Sequence, residues 1–184
     1  MRGPSVFTVA LTIGCFTGNA DEPVSRDQVK ATLISIERAV VDLTNPLEPL
    51  HHKEFVSFRK SMSLSIAKTI VGLIQAGELN VTQSHIGIHA LSGLPEATYW
   101  AVTSEMLSSK TKEEILSNVL LQPLPYGPSY ANAYENNEYR KALLKLREDI
   151  AVGKAIKAQV ELILEGKAAK IYEEYRKHPD RYGY

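Results

Sequence analysis

The apolar positions of this chain recur at steps of three and four rather than two. Val29, Leu33, Ile36, Val40 and Leu43 form one such stripe, the spacing that lines one face of an α-helix. Ser25 with Gln28 three residues later is a capping-box pattern, which satisfies free backbone donors where a helix starts. Asn45-Pro46 supplies a stop, because the residue before a proline resists helical dihedrals. A second stripe, Phe55, Phe58, Met62, Ile66, Ile70 and Leu73, predicts a helix over residues 52–76, with Gly77 in the left-handed position after its end. Gly72 inside that stretch costs about 1 kcal/mol of helix propensity relative to alanine, which a close helix crossing would explain.

Shorter helices follow. Thr82 or Ser84 opens one that runs to Leu91 and closes at Gly93. Pro95 suits the first turn of the next, where its missing amide hydrogen costs nothing; Tyr99, Val102 and Met106 form the inner face. Thr111 with Glu114 is a second capping box, ahead of Ile115, Leu116, Val119 and Leu120, and Pro123 and Pro125 stop that helix. Residues 124–137 are irregular, since Pro125-Tyr126-Gly127-Pro128 disfavours helix and interior strand alike. Tyr126, Tyr130, Tyr134 and Tyr139 crowd this region, either stapling it to a helical body or lining a binding surface.

Helical periodicity returns over residues 136–178, with two stripes. Tyr139, Leu143, Leu146 and Ile150 form the first; Ile156, Val160, Ile163 and Ile171 form the second. They are offset around Gly153, which predicts a bend or break there. Unbroken, the segment would reach roughly 60 Å, more than a compact domain of this size needs.

No segment alternates in the manner of a strand, so the expected fold is all-α: an irregular helical bundle with a long C-terminal helix. The alternative is a short HEAT-like stack of helical hairpins, hinted at by residues 84–121; no second copy at a fixed period supports it, and repeat arrays need several. The expected division is an export or lipoprotein signal over 1–20, a helical bundle over 21–135, and a C-terminal helical segment over 136–184 packed on the bundle.

Composition narrows the function classes. Twenty-one basic residues balance twenty-one acidic ones, so no net field draws the chain to nucleic acid or to an anionic membrane. At the N-terminus Arg2, the apolar run from Val6 to Phe16 and the small residues of Gly18-Asn19-Ala20 read as an export signal cut before Asp21. Leu11-Thr12-Ile13-Gly14-Cys15 competes with that reading: it resembles a bacterial lipoprotein box, with Cys15 as the lipidated first residue and Thr12 standing where leucine is usual. Cys15 is the sole cysteine, so the body of the protein contains no intramolecular disulfide.

Candidate chemistry is sparse. His85 and His89, four apart, share a helix face and are the candidate metal ligands for Zn, Ni or Cu, with His51 and His52 as further donors. Ile86, Gly87 and Ile88 separate them, without the glutamate of a helical protease motif. Two half-buried structural histidines fit the same spacing. No Gly-x-Ser-x-Gly elbow, phosphate-binding glycine loop or haem-attachment motif occurs. The carboxylate pairs Glu113-Glu114, Glu148-Asp149 and Glu173-Glu174 sit where helices face water, and Asn80-Val81-Thr82 is a glycosylation sequon. The resulting expectation is a non-enzymatic helical protein of the cell envelope, or periplasm, that acts through protein–protein contact. Its partner, or a second copy, would bind through Ile156, Val160, Ile163 and Ile171, with no cofactor or nucleic acid involved and with membrane contact only through a lipid anchor. The alternatives are a ligand- or metal-binding module using His85, His89 and the tyrosine-rich loop, and an enzyme of unrecognised type.

Overall fold

The computed structural model describes residues 24–41, 52–108, 110–121 and 137–167, together with 170, 174 and 177. Among them there is no strand. The helices are α1 (Arg26–Val41), α2 (Lys53–Lys60), α3 (Leu64–Gln75), α4 (Val81–Ala90), a 3-10 turn (Leu91–Gly93), α5 (Glu96–Met106), α6 (Glu113–Leu121), α7 (Asn137–Glu148) and α8 (Lys154–Leu164). The protein is all-α, as the periodicity predicts. Cys15, the first twenty residues, Leu43, Asn45-Pro46, Ile171 and the tyrosine-rich loop apart from Tyr139 lie outside the described residues. None of the described helices is long and apolar enough to cross a membrane.

The packing follows a simple order. α1 lies on α3, α3 on α5, and α5 on α7; α2 lies on α4, α4 on α6, and α6 on α8. Odd-numbered and even-numbered helices therefore form two layers. Consecutive helices α3/α4, α5/α6 and α7/α8 are joined by turns of five or six residues and contact each other across the layers. Within each of these hairpins the second helix begins 17 residues after the first: Leu64 and Val81, Glu96 and Glu113, Asn137 and Lys154. The bundle is thus a stack of helical hairpins, the architecture that only residues 84–121 suggested. One contiguous core joins both layers, from Val29, Leu33 and Ile36 of α1 to Ile156, Val160 and Ile163 of α8.

The long helix expected over residues 52–76 is two helices. Ser63 caps α3, its hydroxyl accepting from the Ile66 amide at 3.3 Å, while the Ser61 hydroxyl donates to the Phe58 carbonyl at 2.9 Å and closes α2. The apolar stripe survives the break because Phe55, Phe58, Met62, Ile66, Ile70 and Leu73 are all buried. The 3-10 turn lies so close to α2 that a Cβ on Gly93 would run into the Arg59 carbonyl oxygen. α4 starts from Asn80, not from Thr82 or Ser84. The Asn80 side chain accepts from the Gln83 amide at 2.8 Å and the Gln83 side chain accepts from the Asn80 amide at 3.2 Å, a complete capping box. The Thr111 hydroxyl does not cap α6 either; it donates back to the Met106 carbonyl, 3.0 Å away at the end of α5.

The C-terminal segment is a hairpin rather than one long helix. α7 ends at Glu148, Gly153 stands in extended conformation as the residue before α8, and α8 closes at Glu165 with Gly166 at φ +69°. Helical geometry resumes beyond it at Lys167, Lys170, Glu174 and Lys177. Folding back at Gly153 buries both stripes in the same core, so Ile156, Val160 and Ile163 are not a free surface. Ile150, expected in the first stripe, is 98% exposed because it lies in the turn after α7.

Candidate functional site

The even-numbered layer brings together the residues with the most distinctive chemistry. His85 and His89 sit at the fifth and ninth positions of α4, one turn apart on one face. Their ring centroids are 4.3 Å apart in an edge-to-face arrangement with 64° between planes, and both side chains are half-buried. The Asn118 side chain of α6 lies beside His85. Burial holds the His85 pKa below the ordinary value of 6.5, and the neighbouring Asn118 opposes that shift. Burial, and then the neighbouring His85, push His89 down to about 4. Both rings are therefore neutral at pH 7, in the state that coordinates metals. Three or more His, Cys, Asp or Glu side chains do not gather into a metal-sized group anywhere among the described residues. His52, the other described histidine, pairs with Glu54 at the start of α2, while His51 lies outside the described residues.

A polar link crosses the same layer between α6 and α8. The Gln159 amide of α8 donates to the Ser117 hydroxyl of α6 at 3.0 Å. Counted from the helix starts, His85 and Asn118 are the fifth residue of α4 and the sixth of α6; Ser117 and Gln159 are the fifth of α6 and the sixth of α8. The same pair of positions thus meets between α4 and α6 and between α6 and α8. Four residues on, the ninth positions carry His89, Leu121 and Leu162. Leu121 is 51% exposed and Leu162 38% exposed. Helical geometry places a fifth and a ninth residue on one face, so the layer carries a polar row and, one turn along, a row of His89 and two exposed leucines.

The carboxylates hold helix ends together. Glu37 of α1 accepts from the Asn80 side chain at 2.9 Å and from the Gln83 side chain at 2.7 Å, clamping the capping box of α4. Nδ2 of the sequon asparagine Asn80 is engaged in this clamp. Arg26 donates to the Gly72 carbonyl at 3.2 Å and to Glu78 at 2.7 Å, with Lys30 on the other Glu78 oxygen. The Arg26 hydrogen bond is the main reason the Glu78 carboxyl lies below its usual range. At Gly72, where a close helix crossing was expected, a Cβ would meet only the tip of the Arg26 side chain, at 3.3 Å. Glu113 accepts from the Gly153 amide at 2.9 Å. These carboxylates are occupied in structure and do not converge on a shared proton. Tyr139 is fully buried on α7, its ring 4.8 Å from Trp100 of α5, so the last tyrosine of the aromatic region ties α7 to α5.

The sequence located the histidines but not Asn118, Ser117 or Gln159, whose shared register becomes visible only once the helix starts are known. No protein-family model, no curated protein and no solved structure matches this chain.

Proposed function

We propose that this is an exported, non-enzymatic helical protein of the cell envelope that acts through protein–protein contact. The observation that carries the contact reading is the pair of exposed leucines, Leu121 and Leu162, at the same position of adjacent packed helices α6 and α8. Single exposed apolar residues are ordinary on a protein surface, but matched ones on packed neighbouring helices are where a shared apolar strip would form. Stacked hairpins bury their faces against their neighbours and leave the outer side of each layer as an extended binding surface. This strip replaces the expected one on Ile156, Val160 and Ile163, which the core occupies. Export rests on the charged, apolar and small-residue order of residues 1–20. The first described helix, α1, begins at Arg26, so a cut before Asp21, or before Cys15 with lipidation, leaves every described helix intact.

The test is a doubly substituted chain, Leu121→Asp with Leu162→Asp, compared with wild type for partner recovery from the native envelope. Both side chains are partly covered and lie near helix C-termini, so a stability loss of about 1–2 kcal/mol with native helicity kept and loss of the recovered partner are expected. Equal recovery by the two chains would refute the contact face. Mass spectrometry of the native protein tests export: an intact Met1 would overturn it, and a lipidated Cys15 as first residue would fix the anchored form.

A further inference from the structure

We infer that His85 and His89 form a two-imidazole site on α4 for a borderline divalent ion, bound in the order Cu2+ over Ni2+ and Zn2+. This stands apart from the contact reading and does not depend on it. Three observations carry it. The two rings share one face of a regular helix with centroids 4.3 Å apart, and two imidazoles on one tetrahedral ion need centroids about 5 Å apart, a difference that small side-chain rotations cover. Neither ring has a nitrogen among the described atoms that are buried and without a partner, so the nitrogens are either hydrogen-bonded or open to solvent. Asn118 of the next helix lies beside His85, a polar neighbour placed where an outer partner can orient a ligating ring.

The chemistry of the pair sets the class of ion. Imidazole suits Cu, Ni and Zn, whereas Ca and Mg require oxygen donors. With no third His, Cys, Asp or Glu gathered beside them among the described residues, the remaining coordination positions belong to water or to an external ligand. Such a site is open and exchangeable, unlike the closed four-ligand sites that hold structural zinc. The Cu2+ preference follows from the general order of divalent affinities for nitrogen donors.

The experiment titrates Cu2+, Ni2+ and Zn2+ separately into the full chain, made without a histidine tag and carrying Cys15→Ser to remove the competing thiol. Calorimetry at pH 7.5 is expected to give one ion per chain, tightest for Cu2+. His85→Gln and His89→Gln, each checked for native helicity, are expected to weaken binding at least tenfold. Electron paramagnetic resonance of the Cu2+-loaded unsubstituted pair is expected to show two nitrogen ligands. Absence of binding, binding unchanged in a folded His89→Gln chain, or a spectrum with fewer than two nitrogens would each overturn the site. The spectrum decides the matter on its own if a glutamine variant does not fold.

Discussion

The hairpins α3/α4 and α7/α8 reach the same offset between helix starts, across turns of the same length, by different chemistry. In α3/α4 the turn uses Gly77 at φ +68° and starts the second helix with the Asn80–Gln83 capping box. In α7/α8 the Asp149 side chain accepts from the Ala151 amide at 2.9 Å, and Gly153 stands before the second helix with no side chain to cap it. Each second helix is nevertheless met at its N-terminus by a glutamate from a neighbouring helix. Glu37 reaches the side chains of the capping box on α4, and Glu113 reaches the Gly153 amide ahead of α8. A carboxylate at a helix start satisfies free donors and opposes the positive end of the helix dipole. The repeat lies in where helices begin and which positions touch, while the residues that achieve it have diverged.

The largest effect distinguishes a shared core from a hairpin that merely leans on it. Leu146 of α7 and Ile163 of α8 are both buried in the one cluster that spans the protein. Truncating either to alanine is expected to cost roughly 2–5 kcal/mol. Leu146→Asp and Ile163→Asp are both expected to unfold the protein, since each leaves a charge buried without a partner. Thermal melts followed by circular dichroism check this. An Ile163→Asp chain that keeps its melting temperature would detach α8 from the core and break the equivalence of the two hairpins.

This bears on how much the chain made legible. Residues buried at three- and four-residue spacing, such as Val29, Leu33 and Ile36, declared their helix directly. The break between α2 and α3 stayed hidden because its two serines interrupt the backbone without shifting the apolar phase. The fate of Ile156, Val160 and Ile163 was also ambiguous from spacing. An offset between two stripes is equally produced by a straight helix with two partners and by a hairpin with one core, and only the turn at residues 149–153 decides. The repeat was masked for a third reason. The second and third hairpins start 32 and then 41 residues after the one before (Leu64, Glu96, Asn137), so no fixed period exists to find. The histidine pair was legible because two of its features are local, the spacing and the residue type; its partner Asn118 comes from another helix.

A smaller effect separates the hairpins by pH. α4 carries His85 and His89, and α7 and α8 carry no histidine. The folded protein holds His89 at about 4 against an ordinary 6.5, so between those values the unfolded chain binds more protons than the folded one. The contribution of this group is therefore complete above pH 6.5 and is lost as pH falls toward 4. After allowing for its partial exposure the loss is on the order of 2 kcal/mol, with His85 adding in the same direction. Urea unfolding at pH 7.5 and pH 4.5 checks the total, and hydrogen exchange checks the place: protection in α4 is expected to fall before protection in α8. A folded His89→Gln chain should show a flatter dependence over this range. Equal acid sensitivity in wild type and variant would assign the effect to other groups.

The smallest effect tests the register itself. Ser117 and Gln159 occupy the positions in α6 and α8 that His85 and Asn118 occupy in α4 and α6, and their hydrogen bond is 3.0 Å long. Both residues are half-buried, although the Gln159 amide oxygen itself is buried. A neutral hydrogen bond of this kind contributes about 0.5–1.5 kcal/mol net. The appropriate measurement is a double-mutant cycle with Ser117→Ala, Gln159→Ala and the pair, which cancels what each substitution does alone. A coupling of about 0.5–1 kcal/mol is expected, and a second cycle on His85→Ala and Asn118→Ala gives the corresponding value for the α4–α6 junction. The first junction joins two neutral polar groups, whereas the second includes an imidazole that protonates as the pH falls. The two couplings should therefore be similar at pH 7.5 and diverge toward pH 5, with only the histidine junction changing. A Ser117–Gln159 coupling indistinguishable from zero would leave apolar packing alone to set the α6–α8 register, and the shared polar row would then be a coincidence of position.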